Sequence, residues 1–449
     1  MTNSFSGTIV INQKQYSYSF ENFLLKIEWD SLVETNVGES PWEILKGSVA
    51  NEPYLALFFL GPIQRTTLKS KGYSSYSVQI AVYYYVILKT EYCGKTMLKF
   101  KNKEFAKWLG VFPKHNVNLF EEKCKDSVEI PRVKKEQTAF FEYNKKHFEV
   151  FPVADLSYSP FDFHYMPSLA IQCHDLMDYS DLFDISRIVI DIIRFCFFRN
   201  SVDVGEICIC CKKDESSPIG FEEVGSLYLN YHQREFEHIE LNSLVDYGFI
   251  PWGLVFSHIS SLVSCLERND IFLYHLQEKK ADRFFVNLAS ISSDASAFEY
   301  EFHVLFKNFQ TAKKADKKYT DLRDKLETIE LSEESNSILS DIISRYFDSP
   351  SLKEKAEYAI EQFSGILEPF FKFVEIKKAS SKQIASDFCL GRNKVNHGSN
   401  SLRLSYGVTQ ACLVIRAIVI CMQLRRIGMD ENEIKSSLAF LFDRYVHTV

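Results

Sequence analysis

The spacing of apolar residues changes near Leu276, and this change constrains the fold more than any other feature of the chain. After Leu276, apolar side chains recur every three or four residues through 284–305, which is the spacing of one face of an α-helix. Before it, apolar and polar residues alternate at 8–11, and β-branched and aromatic residues fill 55–60 and 78–88. The sequence therefore predicts an α+β protein, with a β-rich N-terminal module followed by an all-α helical bundle.

The predicted elements divide the chain into three parts. We expect residues 1–235 to form the β-rich N-terminal module, residues 236–274 to form a connecting segment, and residues 275–449 to form the helical domain. Within the first part, helices are predicted at 103–109 and 182–198 and further strands at 205–211 and 224–231, and a helix is predicted at 254–266 in the connector. In the last part, the predicted helices are 335–347, 352–374, 381 to the motif described below, 401–427 and 431–446, with Asp430 and Glu433 as a capping pair.

Composition indicates a globular protein without a membrane span. The chain has 449 residues, 46% of them hydrophobic and 14% aromatic, which is enough for two sizeable cores. A net charge of −7 argues against a protein that coats nucleic acid nonspecifically, since such proteins usually carry a basic face. Charges at Arg194 and Arg416 interrupt the longest apolar runs, so neither run makes an uninterrupted membrane helix.

The eleven cysteines are predicted to be reduced thiols of a cytoplasmic protein, because their number is odd and residues 1–7 do not resemble a secretory signal. Cys208, Cys210 and Cys211, followed by His232 and His238, raise the question of a metal site. No second cysteine pair stands at zinc-ribbon spacing, so buried thiols are the favoured interpretation and a metal the open alternative. We predict no cofactor.

The chemistry is expected at residues 392–398, which read Arg-Asn-Lys-Val-Asn-His-Gly. A guanidinium is always charged and can neutralise a phosphate, whereas an imidazole can move a proton near neutral pH. In an ideal helix, Arg392 and His397 would point about 140° apart, so they can cooperate only if the helix ends there. Gly398 permits such an ending.

This Arg-x4-His pattern, late in a helical region, resembles the motif of the HEPN superfamily, and in particular the ApeA-like HEPN proteins of bacterial antiphage defence. The resemblance covers about the last 170 residues. It implies a metal-independent endoribonuclease with Arg392, Asn393 and His397 as catalytic residues, cleaving tRNA or another translation RNA in abortive infection. The N-terminal module would then regulate the nuclease, with a phage-derived trigger as its partner.

A single imidazole cannot easily both take a proton from a 2′-hydroxyl and donate one to the departing oxygen. We therefore expect a homodimer, or a higher even oligomer, that brings two motifs together. The apolar segment 408–424 could serve such an interface or only the core, and the sequence leaves both open. Arg416 within it is expected to pair with a carboxylate or to reach the surface, without a catalytic role.

Other basic residues are weaker candidates for RNA binding. Lys313, Lys314, Lys317 and Lys318 could hold phosphates or form an ordinary solvated helix face, and Lys394 lies within the motif. The alternative function, from a different class, is a noncatalytic HEPN scaffold that binds RNA or a protein partner.

Overall fold

The computed structural model describes residues 4–11, 14–29, 44–60, 66–69, 76–90, 92, 95–102, 104–110, 114–116, 127–129, 137–159, 162–202, 204, 206–212, 220–230, 248–279, 281–310, 317–329, 331–344, 349–376, 380–396 and 404–442. The chain forms two compact units, one of residues 1–190 with 202–241 and one of residues 191–201 with 242–449. Every named strand of the described chain lies in the first unit, and the second is helical. The predicted α+β class, with β-rich and helical parts in that order, is confirmed.

The strands of the first unit are antiparallel to their neighbours. They are β1 (Ser4–Ile11), β2 (Lys14–Glu21), β3 (Leu24–Trp29), β4 (Ile44–Val49), β5 (Leu55–Leu60), β6 (Thr66–Lys69), β7 (Tyr76–Leu88), β8 (Thr96–Lys101), β9 (Lys114–Asn116), β10 (Ser127–Glu129), β11 (Ala139–Tyr143), β12 (Lys146–Ser159), β13 (Asp162–Cys173), β14 (Ile207–Cys211) and β15 (Glu222–Leu229). The strands predicted at 8–11, 55–60, 78–88, 205–211 and 224–231 are thus present, with ends shifted by a few residues.

Six of these strands close on themselves. The pairings run β7–β3–β2–β1–β4–β5 and return to β7, because the two halves of this long strand pair with β3 and with β5. Alternate side chains point inward, and aromatic rings fill the interior, with Phe20 lying 4.7 Å from Tyr85 and 5.2 Å from Phe58 between ring centroids. Gly7 lets β1 approach β4, since a Cβ there would lie 1.7 Å from the carbonyl oxygen of Ser48.

Beyond β7, the sheet continues in the order β15–β14–β8–β13–β12–β11. The first part of helix α2 (Tyr179–Phe197) packs against β7, with the Phe183 ring stacked on Tyr84 at 4.1 Å. The predicted short helix is also present as α1 (Phe105–Leu109).

The cysteine cluster lies on β14, and all three thiols are buried. Cys210 packs with Met97 and Ala170. Burial raises its pKa to about 11, and it raises the pKa of Cys208 as well. The ammonium groups of Lys99 and Lys101 act in the opposite direction, but burial is the largest influence on both thiols and disfavours the thiolate that a metal would need. His232 and His238 lie outside the described residues.

The helices of the second unit follow the predicted order. They are α3 (Trp252–Val255), α4 (Ile259–Glu267), α5 (Leu288–Leu305), α6 (Lys317–Glu327), α7 (Glu333–Ile343), α8 (Leu352–Gln362), α9 (Ser364–Phe373), α10 (Ser381–Asn396), α11 (Tyr406–Arg426) and α12 (Glu431–Leu441). The capping pair is confirmed: the Asp430 side chain accepts from the N–H of Glu433, whose carboxylate accepts from the N–H of Asp430.

The prediction of one continuous helix at 352–374 is wrong. The helix breaks at Phe363, whose φ and ψ of −104° and 9° end α8 before α9 begins. Ser364 and Gly365 follow, two residues of lower helix propensity, and the Ser364 hydroxyl donates to the carbonyl oxygen of Glu361 at 2.8 Å. A local polar contact thus competes with continued helix.

Helix α11 lies at the centre of the helical unit and contacts α5, α8, α9, α10 and α12. By length and composition alone it could cross a membrane, but 78% of its most apolar 18-residue stretch is buried inside the protein. Core helices of soluble proteins share this pattern.

Arg416 of α11 is fully buried and pairs with a carboxylate, as predicted. Its Nη2 and Nε lie 2.8 and 3.0 Å from Oδ2 of Asp294 on α5, and its Nη1 donates to the carbonyl oxygens of Arg283 and Phe285. Burial raises the pKa of Asp294, and the neighbouring guanidinium opposes that shift. The pair ties α5 to α11.

The compact units divide the chain differently from the predicted parts. The end of α2 and most of the predicted connector belong to the helical unit, where the N–H of Ile250 donates to the carbonyl oxygen of Cys196 at 2.8 Å and Asn200 Nδ2 donates to that of Leu276 at 2.7 Å. These segments pack with the helices, where their backbone and side-chain polar groups find hydrogen-bond partners. The assignment of regulatory and nuclease roles to parts of the chain stays a prediction.

Candidate functional site

Helix α10 carries the first part of the motif. Ser380 begins the helix by accepting the N–H of Gln383 on its hydroxyl at 3.2 Å, and Ile384 and Phe388 bury the inner face. Arg392 lies in the last turns of α10 and is half-buried, while Asn393 beside it is exposed. Arg392 lies four residues before Asn396, the last residue of α10.

The rest of the motif is only partly described. Lys394 is half-buried on α10, and the helix extends to Asn396. His397 lies outside the described residues, so its expected cooperation with Arg392 stays a prediction.

Gly391 allows α10 to come close to the central helix at the residue before Arg392. A Cβ at this position would lie 2.7 Å from Val408 Cγ1 on α11, and 3.8 Å from Cys412 Sγ. Glycine is unfavourable inside a helix, by about 1 kcal/mol relative to alanine. Here its lack of a side chain permits the packing that positions the end of α10.

Helix α8 lies beside α10. At one end of the pair, the Ser381 hydroxyl donates to Glu361 Oε1 at 2.9 Å, which places the start of α10 next to the end of α8. The first turn of α8, with Lys353 and Lys355, therefore lies toward the Arg392 end of α10.

The pKa of Cys389 shows which charged side chains lie near Arg392. Burial raises the pKa of this thiol, Lys353 and Arg392 lower it, and Glu299 of α5 raises it. Lys355 Nζ lies 3.8 Å from Glu299 Oε1, so that carboxylate already has a cationic partner. Two further cations, Lys353 and Arg392, thus lie around one side of α10.

The other lysines predicted to bind RNA do not lie on α10. Lys317 and Lys318 are exposed at the start of α6, which packs on α7. Lys313 and Lys314 lie outside the described residues. The structure thus groups Arg392, Asn393 and Lys394 on one helix end and places Lys317 and Lys318 on a separate helix.

In the described ranges, no group of three or more His, Cys, Asp and Glu side chains is placed to hold a metal ion.

Sequence reasoning did not single out Lys353, Glu299 or Asp294. Lys353 lies within the capping box of Ser351 and Glu354, which marks a helix start but says nothing about which helix lies alongside. Pairings between distant helices depend on tertiary packing, so no local signal could have named these residues.

Comparison with known proteins agrees with the motif's context. Residues 295–433 match the family model of the Apea-like HEPN domain, a segment that runs from α5 into α12 and contains Arg392 and His397. No curated protein and no solved structure matches the chain significantly. The family match supports a nuclease, RNA-related or defence role in general terms. From the family match and the helical architecture around Arg392, we conclude that residues 295–433 of the chain form an Apea-like HEPN domain.

Proposed function

We propose that this protein is a metal-independent endoribonuclease whose catalytic residues are Arg392, Asn393 and His397. The observation that carries the proposal is the placement of Arg392 in the last turns of α10, inside the HEPN segment and five residues before His397 in the sequence. An always-charged guanidinium at a helix end, close to a titrating imidazole in the chain, suits the cleavage of a phosphodiester.

The proposed mechanism uses the RNA's own 2′-hydroxyl as nucleophile. His397 takes the proton of that hydroxyl or donates one to the departing 5′-oxygen, since an unperturbed imidazole titrates near pH ~6.5. Arg392 stabilises the charge that develops on the pentacoordinate phosphate, and Asn393 orients a reacting group. Attack by the 2′-hydroxyl forms the new O–P bond of a 2′,3′-cyclic phosphate and breaks the bond to the 5′-oxygen, which leaves as a 5′-hydroxyl.

Cleavage of purified total RNA in the presence of EDTA tests this chemistry. We expect fragments with 2′,3′-cyclic phosphate and 5′-hydroxyl ends, in equal amounts with and without the chelator. End-specific labelling identifies them: polynucleotide kinase should phosphorylate the 5′ ends without prior phosphatase treatment. A strict requirement for Mg²⁺, or cleavage of DNA, would refute the mechanism. Binding of RNA without cleavage would favour the noncatalytic scaffold.

A dimeric active site is the second expectation. Because each chain supplies one His397, we expect a homodimer, or a higher even oligomer, in which two motifs face each other. Light scattering coupled to size exclusion should give at least twice the 52.1 kDa chain mass at micromolar concentration. A monomer that cleaves RNA at that concentration would contradict the composite site.

The biological role that we propose is abortive antiphage defence in the cytoplasm, with tRNA or another translation RNA as substrate. A nuclease that damages host RNA must be held inactive until it is needed, and the β-rich first unit is large enough to sense a phage-derived trigger. The family match supports such a role only in general terms.

A further inference from the structure

We propose that Lys353, in the first turn of α8, is a second phosphate-binding residue, so that the RNA backbone passes from Arg392 onto the start of α8. The inference rests on the proposed function, because it takes RNA as the ligand. It adds a residue that lies outside the motif and is about 40 positions away from it in the chain.

The packing of α8 against α10 sets the position of Lys353. The Ser381 to Glu361 hydrogen bond marks the level at which the two helices pass each other. Lys353 lies eight residues back from Glu361, and Cys389 lies eight residues forward from Ser381, which at about 1.5 Å per residue is about 12 Å along each helix. Lys353 therefore lies level with Cys389, within one helical turn of Arg392.

The side chain of Lys353 is available to an anion. Lys355 is paired with Glu299, whereas the side chain of Lys353 makes no hydrogen bond or ion pair with any residue that the structure describes. Lys353 is half-buried, and it lies at a helix N-terminus, where the helix dipole disfavours a cation. A half-buried ammonium near a like-charged guanidinium is unfavourable, and a bound phosphate would relieve it.

The Cys389 thiol is influenced by both cations. Lys353 and Arg392 both lower the pKa of Cys389, which means that both act on the same small region of α10. An RNA phosphate near Cys389 would lie within reach of both side chains. Lys353 is thus placed to hold a phosphate next to the one that Arg392 stabilises.

Binding of a fluorescein-labelled, single-stranded 12-nucleotide RNA tests the inference, measured by anisotropy with the full chain carrying His397→Ala to prevent cleavage. Adding Lys353→Gln should weaken binding about threefold to tenfold near physiological salt. It should also reduce the slope of log affinity against log salt by about 0.7, the loss of one contact to a single strand. Lys353→Arg, which keeps the charge, should remain within about twofold of the parent.

Lys382→Gln is the matched control. Lys382 is also the second residue of a helix, exposed on α10, but lies ten residues or about 15 Å from Arg392. Equal affinity and equal salt slope for the Lys353→Gln and Lys382→Gln variants would overturn the inference, as would the absence of RNA binding in all variants. Cleavage by the wild-type protein is scored separately. If the wild-type protein cleaves RNA but Lys353→Gln has no effect on binding, the proposed function stands and the Lys353 site is refuted. If the wild-type protein does not cleave RNA but binding depends on Lys353, the Lys353 site stands and the proposed nuclease function is refuted.

Discussion

Replacing His397 with alanine is expected to lower the rate of RNA cleavage by about 10² to 10⁴, the usual contribution of general acid-base catalysis. The imidazole is the only group of the 392–398 segment that titrates near neutral pH, so no neighbour in the motif can take over its proton transfers. The measurement is the single-turnover rate of cleavage of a defined RNA by wild-type and variant proteins at equal concentration. Binding of the uncleaved RNA should change little, because the substitution removes no fixed positive charge.

His303→Ala is the matched control for this substitution. His303 is an exposed histidine on α5 of the same unit, so its removal costs the chain one imidazole without touching the motif. The control should cleave at the wild-type rate. Equal activity in the His397 and His303 variants would remove His397 from the mechanism.

Arg392→Lys provides a second check on the same site. An ammonium keeps the charge of Arg392 but cannot reproduce the two parallel hydrogen bonds that a guanidinium makes with a phosphate. We therefore expect impaired cleavage with correct folding. Wild-type activity in this variant would show that charge alone is sufficient there.

Much of the fold could be predicted from local sequence patterns. The apolar stripe that forms α5 and the alternation that forms β1 both follow from the periodicity of one face. The Asp430 capping box marks the start of α12 through residues three apart. Two hairpin turns have Asn22 and Asn144 at positive φ, which asparagine tolerates better than most residues. These features act over a few residues, which is why the sequence alone reveals them.

The pairing of distant elements could not be predicted in the same way. Alternating residues show that β7 is a strand but not that its two halves pair with β3 and β5 to close a ring. Similarly, the motif identifies Arg392 but not Lys353, because only the contact of α8 with α10 brings the two together. Arg416 could be predicted to need a carboxylate, yet several acidic residues were available, and packing selects Asp294.

That buried pair is expected to produce the largest change in stability. Asp294→Ala would leave the guanidinium of Arg416 buried without its counter-charge, which typically costs about 3 to 5 kcal/mol. The free energy of unfolding of the helical unit should fall by that amount in urea titrations followed by circular dichroism at 222 nm. Asp321→Ala, at an exposed position of α6, should stay within about 0.5 kcal/mol of wild type. A small change at Asp294, comparable to that at Asp321, would contradict the assigned role.

Asp294→Leu combined with Arg416→Met separates the cost of an unpaired charge from the value of the pair. Replacing a buried ion pair with apolar side chains of similar size is often close to neutral, so the double variant should recover much of the lost stability. Recovery should be incomplete, because Arg416 also donates to the carbonyl oxygens of Arg283 and Phe285.

The Asp294–Arg416 pair also bears on the proposed site, because the end of α10 packs against both helices that the pair joins. A Cβ at Gly391 of α10 would lie 3.9 Å from Ile291 of α5 and 2.7 Å from Val408 of α11. Loosening α5 from α11 should therefore displace the end of α10 and lower cleavage in the Asp294→Ala variant, even below its unfolding temperature and without any change to Arg392 itself.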